Sequence, residues 1–220
     1  MWFWRYRRTI RDKVRDFDAL PQSGERKPRV GVVGEILVKF HPTANNGIVE
    51  MIESEAAEAV VPDLADFLLY ASHGGQFRYR KLAGSLSGAL LSRVAIAGIE
   101  ILRVPQKRAL ARSHRFNPPH SIYKLAQGVD GIVQMGNVTG EGWFLTAEMV
   151  ELMNEGVTAI ACIQPFACLP NHVTGKGMIR ELRTRHPEAT IAAIDYDPGA
   201  SEVNQLNRLK LLLASAREAG

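Results

Sequence analysis

Short apolar runs bounded by Gly, Pro or Asp alternate along the chain with longer stretches whose apolar residues recur at helical spacing. The first run, Val30-Gly31-Val32-Val33, is β-branched and ends at Gly34, the pattern of a strand covered on both faces in a parallel sheet. GIVEMIESEAAEAVVPD then places Ile48, Val49, Ile52 and Ala56 at helical spacing and supplies Ala59-Val60-Val61 as a second strand, stopped by Pro62 and Asp63. Further along, GIVQMGN reads as a strand, TAEMVELMNEG as a helix ending at Gly156, VTAIACIQPF as a strand, GKGMIRELRTRHP as a helix, ATIAAIDYD as a strand and SEVNQLNRLKLLLASAREA as a helix. The pattern predicts strands at about 29–34, 57–62, 131–136, 157–165 and 189–196. Strand and helix in strict turn imply βαβ units, hence an α/β sandwich: a mostly parallel sheet of about five strands with helices on both faces.

Residues 63–127 break the alternation. LADFLLYAS, GALLSRVAIAGIEILRV and PQKRALARS read as helices of an insertion, with His73-Gly74-Gly75 and Asn117-Pro118-Pro119 as interruptions. Residues 1–28 read as a basic helical arm and linker, and 29–220 as one α/β domain carrying the helical insertion.

With 46% hydrophobic and 23% charged residues, the chain of 220 residues has the balance of a folded, soluble protein. The net charge of +4 is uneven: residues 1–29 hold nine Lys and Arg against four Asp and Glu, a net of +5, which leaves −1 for the rest. Binding of nucleic acid requires a basic stripe on a folded surface together with stacking or groove-reading groups. MWFWRYRRTIRDKVRD offers aromatics and arginines only at one end of the chain, so nucleic acid is disfavoured as a partner and an amphipathic helix packed on its own domain or on a partner is preferred. Arg5, Arg7 and Arg8 interrupt the apolar start before a signal-peptide core can form. No stretch approaches the ~20 apolar residues of a membrane span. Two cysteines and no export signal point to the cytoplasm, where a stable disulfide is not expected.

In a parallel sheet the loops at the carboxyl ends of the strands gather on one rim, and ligands bind there. That rim collects the unusual residues of the chain. GNVTGEGWF combines glycines with a helix start at Thr146-Ala147-Glu148, and the amides of such a turn can hold an anion; a tight connection with Trp143 as a core lid is the alternative. Asp195 and Asp197 end the last strand, either as turn and capping residues or as carboxylates beside a ligand. His41–Asn46 reads as a turn and helix cap. Of the two thiols, Cys162 lies inside the strand run AIACIQ and behaves as a small buried hydrophobe. Cys168 follows the strand and stands at the rim. Two cysteines do not make a zinc site. His172, four residues further, makes a Cys/His nucleophile pair one alternative, and a single thiolate ligand of an iron–sulfur cluster is another. Because the chain does not contain four cysteines, such a cluster needs a non-cysteine ligand, a partner chain or an upstream segment.

The strings KPRVGVVGEILVKFHPTANNGIVEMIESE, GNVTGEGWFLTAEMVEL, QPFACLPNHVTGKGMIREL and AIDYDPGASEVNQLNRLKLLLA resemble, in the same order, the acyl-CoA dehydratase activase-related proteins. In these, an ATPase activator is joined to a module like the subunits of 2-hydroxyacyl-CoA dehydratases and benzoyl-CoA reductases. The resemblance runs from about residue 27 to 218 and corresponds to the C-terminal part of that module. It implies a Rossmann-like domain and a [4Fe–4S] or double-cubane cluster, ligated in part by Cys168 with Cys162 as a secondary candidate. It also implies an ATPase activator or the missing upstream part of the module as partner, low-potential electron transfer driven by ATP, and an acyl-CoA-type substrate. Beside Cys168, the cofactor-binding candidates on the rim are Gly140, Glu141, Gly142, Trp143, Asn171 and Asp195. The alternative functions are a non-catalytic docking domain of such a complex, and an anion- or nucleotide-binding domain.

Overall fold

A computed structural model of the chain describes residues 2–218. They divide into two compact units. One, residues 1–25 and 69–122, is helical; the other, residues 26–68 and 123–220, holds the sheet. Among the described residues no helix is long and apolar enough to cross a membrane.

The sheet unit is a Rossmann-like three-layer sandwich. Its strands are β1 (Arg29–Gly34), β2 (Glu58–Val60), β3 (Ala159–Gln164) and β4 (Thr190–Asp195), all parallel in the order β2-β1-β3-β4. AIACIQ is buried at all six positions because β3 lies between β1 and β4 with helices on both faces. One face carries Val30, Val32, Ala161 and Ile163 against α2 (Ile36–Phe40), α3 (Ile48–Ser54) and α10 (Glu202–Glu218) through Val38, Ile48, Ile52, Leu209, Leu212 and Leu213. The opposite face meets α7 (Gly142–Asn154): a Cβ on Gly31 would lie 2.6 Å from Leu152 Cδ1. Buried all round its circumference as far as Met153, apart from Glu151, α7 is a core helix, as its run GWFLTAEMV dictates. α8 (Leu169–Thr174) and α9 (Ile179–Arg185), joined by a 3-10 turn at Lys176–Met178, connect β3 to β4. At the β4 edge, Arg208 Nη1 donates to the Ala193 carbonyl at 2.8 Å.

The expected strand at 131–136 is not formed; the sheet has four strands. Gly131 takes φ 72°, and the amides of Ile132 and Val133 donate to the Val129 carbonyl, so GIV closes turns behind α6 (Ile122–Gly128) instead of extending. β1 pairs directly with β3 and leaves no slot between them.

The helical unit contains α1 (Trp2–Asp18), most of α4 (Leu64–Lys81) and α5 (Leu86–Leu110). His73-Gly74-Gly75 does not interrupt α4. Gly75 is a point of close approach: a Cβ there would stand 2.0 Å from Ser92 Oγ and 3.1 Å from the Gly88 carbonyl of α5. Nor does Pro105 break α5 into two helices. A proline removes the amide that would serve the carbonyl four residues back, and beside that carbonyl Tyr6 Oη of α1 donates to Leu102 O at 2.8 Å. Asp18 of α1 accepts from Ser113 Oγ at 2.7 Å, and Phe17 meets Phe116 edge-on. The arm therefore packs with the insertion helices.

Gly34 is the tightest point of the sheet unit. It takes φ 150°, and a Cβ would lie 1.8 Å from the Ile163 carbonyl oxygen. Gly34→Ala is expected to destabilise the chain by about 3 kcal/mol, read as a fall in the urea midpoint. Gly199→Ala, where nothing lies within 4 Å, is expected to leave the midpoint unchanged.

Candidate functional site

From β1 the chain passes to β2 on one side, and β3 lies on the other. The order reverses between β1 and β3, and the crevice outside their carboxyl ends is where an open parallel sheet binds ligands. Three segments meet there. After β1, Glu35 N donates to Ile163 O at 3.0 Å and the Glu35 carboxylate caps α2 by accepting from Val38 N at 2.8 Å. The turn before α7 brings Glu141, and the loop after β3 brings Cys168 at the N-cap of α8.

Glu141 is buried at 6% exposure and joins all three segments. Its Oε1 accepts from Ile36 N at 3.2 Å and its Oε2 from Asn171 Nδ2 at 2.8 Å. Asn171 Nδ2 also donates to Cys168 Sγ at 3.2 Å, while the fully buried Asn171 Oδ1 has no hydrogen-bond partner. Of the expected site residues, the structure thus brings Glu141, Asn171 and Cys168 together. Gly140 lies alongside, where a Cβ would stand 2.8 Å from Pro170 Cγ of α8.

The remaining candidates stand apart from this group. Trp143 is fully buried and edge-on to Phe144, a core contact. Gly142 is the first residue of α7, so this helix starts four residues before the expected Thr146. The carboxylate of Glu141, buried within the turn that would cradle an anion, opposes a phosphate at that place. Asp195 belongs to a second set: its Oδ1 accepts from Gln164 Nε2 at 3.0 Å, and Lys176 Nζ lies 3.7 Å from its Oδ2. Cys162 is fully buried and faces Gln164 Oε1 at 3.9 Å. Burial pushes its thiol up to about 12, with the charges of Glu148 and Asp195 adding to the shift. It packs as a neutral hydrophobe.

Cys168 differs in its exposure. Its side chain is partly exposed, and it follows Ala167, which takes φ 60°, a left-handed conformation costing about 1 kcal/mol for a residue with a Cβ. The loop is held from the other side by Asp197, whose carboxylate oxygens accept from Phe166 N at 3.0 and 3.1 Å. His172 does not form a nucleophile pair with the thiol: its Nδ1 lies 3.1 Å from the Cys168 carbonyl oxygen and donates to it. Phe166 and Leu169, on either side of Cys168 in the loop, and Val173 of α8 are exposed apolar residues.

Reading the sequence alone misses the pair Lys39–Glu148, 2.7 Å apart with side chains 0% and 4% exposed. A signal exists, since a Glu inside the otherwise apolar GWFLTAEMV of a core helix demands a partner. Burial raises Glu148 to about 7, against the opposing pull of Lys39 and with further upward pushes from Asp66 and Glu141. Below pH 4.5 the carboxyl is protonated in folded and unfolded chains alike; between 4.5 and about 7 the unfolded chain releases the proton and the folded chain keeps it. The stability Glu148 contributes is therefore lost as pH rises through that window. Glu148→Gln is expected to gain on the wild type in melting temperature over the same range. A gap that widens in favour of the wild type as pH rises would show instead that the Lys39 ion pair outweighs burial.

No protein-family model matches the chain, and neither a curated protein nor a solved structure matches it.

Proposed function

We propose that the chain acts as the C-terminal domain of a 2-hydroxyacyl-CoA dehydratase-like iron–sulfur protein, in which Cys168 supplies one thiolate to a [4Fe–4S] or double-cubane cluster completed by a partner segment. The observation that carries this reading is the Asn171 amide donating to Cys168 Sγ at 3.2 Å. Hydrogen bonds to sulfur tune the potential of such clusters and orient their ligands. The support extends outward from that bond: Glu141 fixes Asn171, and the switch-point crevice supplies the concave edge. The exposed apolar residues Phe166, Leu169 and Val173 of the same loop and helix offer a partner a surface that would help exclude water from the cluster.

A bound cluster supplies one-electron chemistry at low potential. The part of this chain is to bind and to shield. Cys168 is the ligand, Asn171 positions its sulfur, and Cys162 remains in the core as a thiol. Electrons from an ATP-driven activator would enter through the partner, and an acyl-CoA-type substrate would meet the cluster at the shared interface.

Anaerobic reconstitution with ferrous iron, sulfide and excess glutathione, which lends the missing thiolates, tests the assignment. Wild type and Cys162→Ala are expected to develop the broad charge-transfer absorbance of a cluster, and Cys168→Ala to stay at the level of buffer while keeping its circular dichroism spectrum. Equal iron and sulfide contents in wild type and Cys168→Ala would remove the proposal.

A further inference from the structure

The helical unit concentrates the positive charge of the protein. Residues 1–25 and 69–122 contain fifteen Lys and Arg against five Asp and Glu, a net of +10, which leaves −6 for the sheet unit. Between residues 69 and 122 the lone carboxylate, Glu100, is taken by Arg103 at 3.6 Å and Lys107 at 2.6 Å. Against this background α1 and α5 line a groove of about 540 Å³. Arg5, Arg7, Arg8 and Arg11 line it from α1, Arg108 from the last turn of α5 and Arg112 from the turn just after that helix, with Trp4 beside them.

Several local rules are broken to put them there. Arg5 and Arg8, and Arg7 and Arg11, are like charges three or four residues apart on one helix, where they repel. α1 has no acidic residue in its first turn, so its arginines face the positive end of the helix dipole. Asp12 relieves Arg8 and Arg11 only at 3.5 and 3.4 Å, and the side chains of both arginines stay 79% and 64% exposed. Arg7 stacks over Trp4 at 5.3 Å and over Phe3 at 5.8 Å, yet Trp4 remains 72% exposed. A packing role does not account for an exposed tryptophan in a ring of guanidinium groups.

We propose that this groove binds single-stranded nucleic acid, with its phosphates on the arginine forks and a base stacked on Trp4. Guanidinium groups pair bidentately with phosphate, and a basic track with aromatic platforms is how proteins hold single strands. In the sequence these groups sit at one end of the chain, an arrangement that disfavours such binding. Packing of α1 on α5 removes it, because Arg108 and Arg112 join them on one folded surface. Amphipathic insertion into a lipid surface is less favoured, because Tyr6 of α1 is turned onto Leu102 of α5 and Trp4 is ringed by guanidinium groups and not by an apolar face. The charge of the unit beyond the groove, at Arg15, Arg78, Arg80 and Arg93, suits a long polyanion better than a compact one.

Fluorescence anisotropy with a labelled oligouridylate of about 12 nucleotides, titrated between about 50 and 200 mM salt, tests the inference on the full chain. Four phosphate contacts predict a slope of log K on log salt near −3. Arg108→Gln with Arg112→Gln is expected to flatten that slope by about 1.4. Trp4→Ala is expected to weaken binding about 5-fold or more with an unchanged slope. Polyglutamate and ATP serve as competitors. The proposal is overturned if the oligonucleotide does not bind at the lowest salt, or if polyglutamate, ATP or anionic vesicles compete as well as unlabelled oligonucleotide. Variants that retain wild-type affinity while circular dichroism shows them folded would overturn it too. The paired arginine variant lies at the end of α5 and in the turn after it, outside α1, so it tests the groove even if Trp4→Ala loosens α1.

Discussion

One buried carboxylate holds the rim of the sheet together. Glu141 accepts from a backbone amide at the start of α2 and from the side-chain amide of Asn171 in α8, so the ends of β1 and β3 and the beginning of α7 are registered by a single group. Charge-assisted bonds of this kind are strong, and removing the acceptor would leave buried donors without partners. The contact works only because Gly34 lets the two strand ends close up to the Ile163 carbonyl. Cys168 takes its place from this arrangement: Asn171 reaches its sulfur with the same amide nitrogen that reaches Glu141.

Much of the architecture was legible in the run of apolar positions. β-branched segments bounded by Gly or Asp became β1, β3 and β4 nearly residue for residue, and β2 shrank to three residues at the edge. The failures share a cause. Local signals at 131–136, His73–Gly75 and Pro105 carry no information about what stands opposite. GIV is apolar but finds no strand to pair with; Gly75 sits inside α4 where α5 comes close; a proline sits inside α5 and Tyr6 donates to the neighbouring carbonyl. For the rim, sequence position separated Cys168 from Cys162 correctly, since one is half-exposed and the other sealed in the core. The Glu141–Asn171 link was not legible, because residues thirty positions apart meet only through the order of the strands.

Charge behaves in the same way. Counted along the chain, the basic excess belongs to the first twenty-nine residues. Counted by folded unit, it belongs to the helices of 1–25 and 69–122, and the sheet unit is acidic. The two units thus present different surfaces to solution, the acidic one carrying the cysteine rim and the basic one the arginine groove. Like charges crowded on α1 and α5 raise the free energy of the unliganded unit, a cost that packing through Tyr6, Asp18 and Phe17 offsets.

The arginine that covers the Ala193 carbonyl has a meaning for the behaviour of the protein in a crowded solution. β4 is an edge strand, and an edge strand with open carbonyls is a template on which another chain can add a strand. Arg208 occupies one of those acceptors, and Arg183 Nη2 lies 3.4 Å from a second, Ile191 O. Two charged side chains fill positions where the backbone of a neighbour would otherwise bond, and they carry like charge toward any copy approaching in the same way. The sheet therefore ends where β4 ends, and resistance to fibrillar growth is built from the helices α9 and α10 that already flank it.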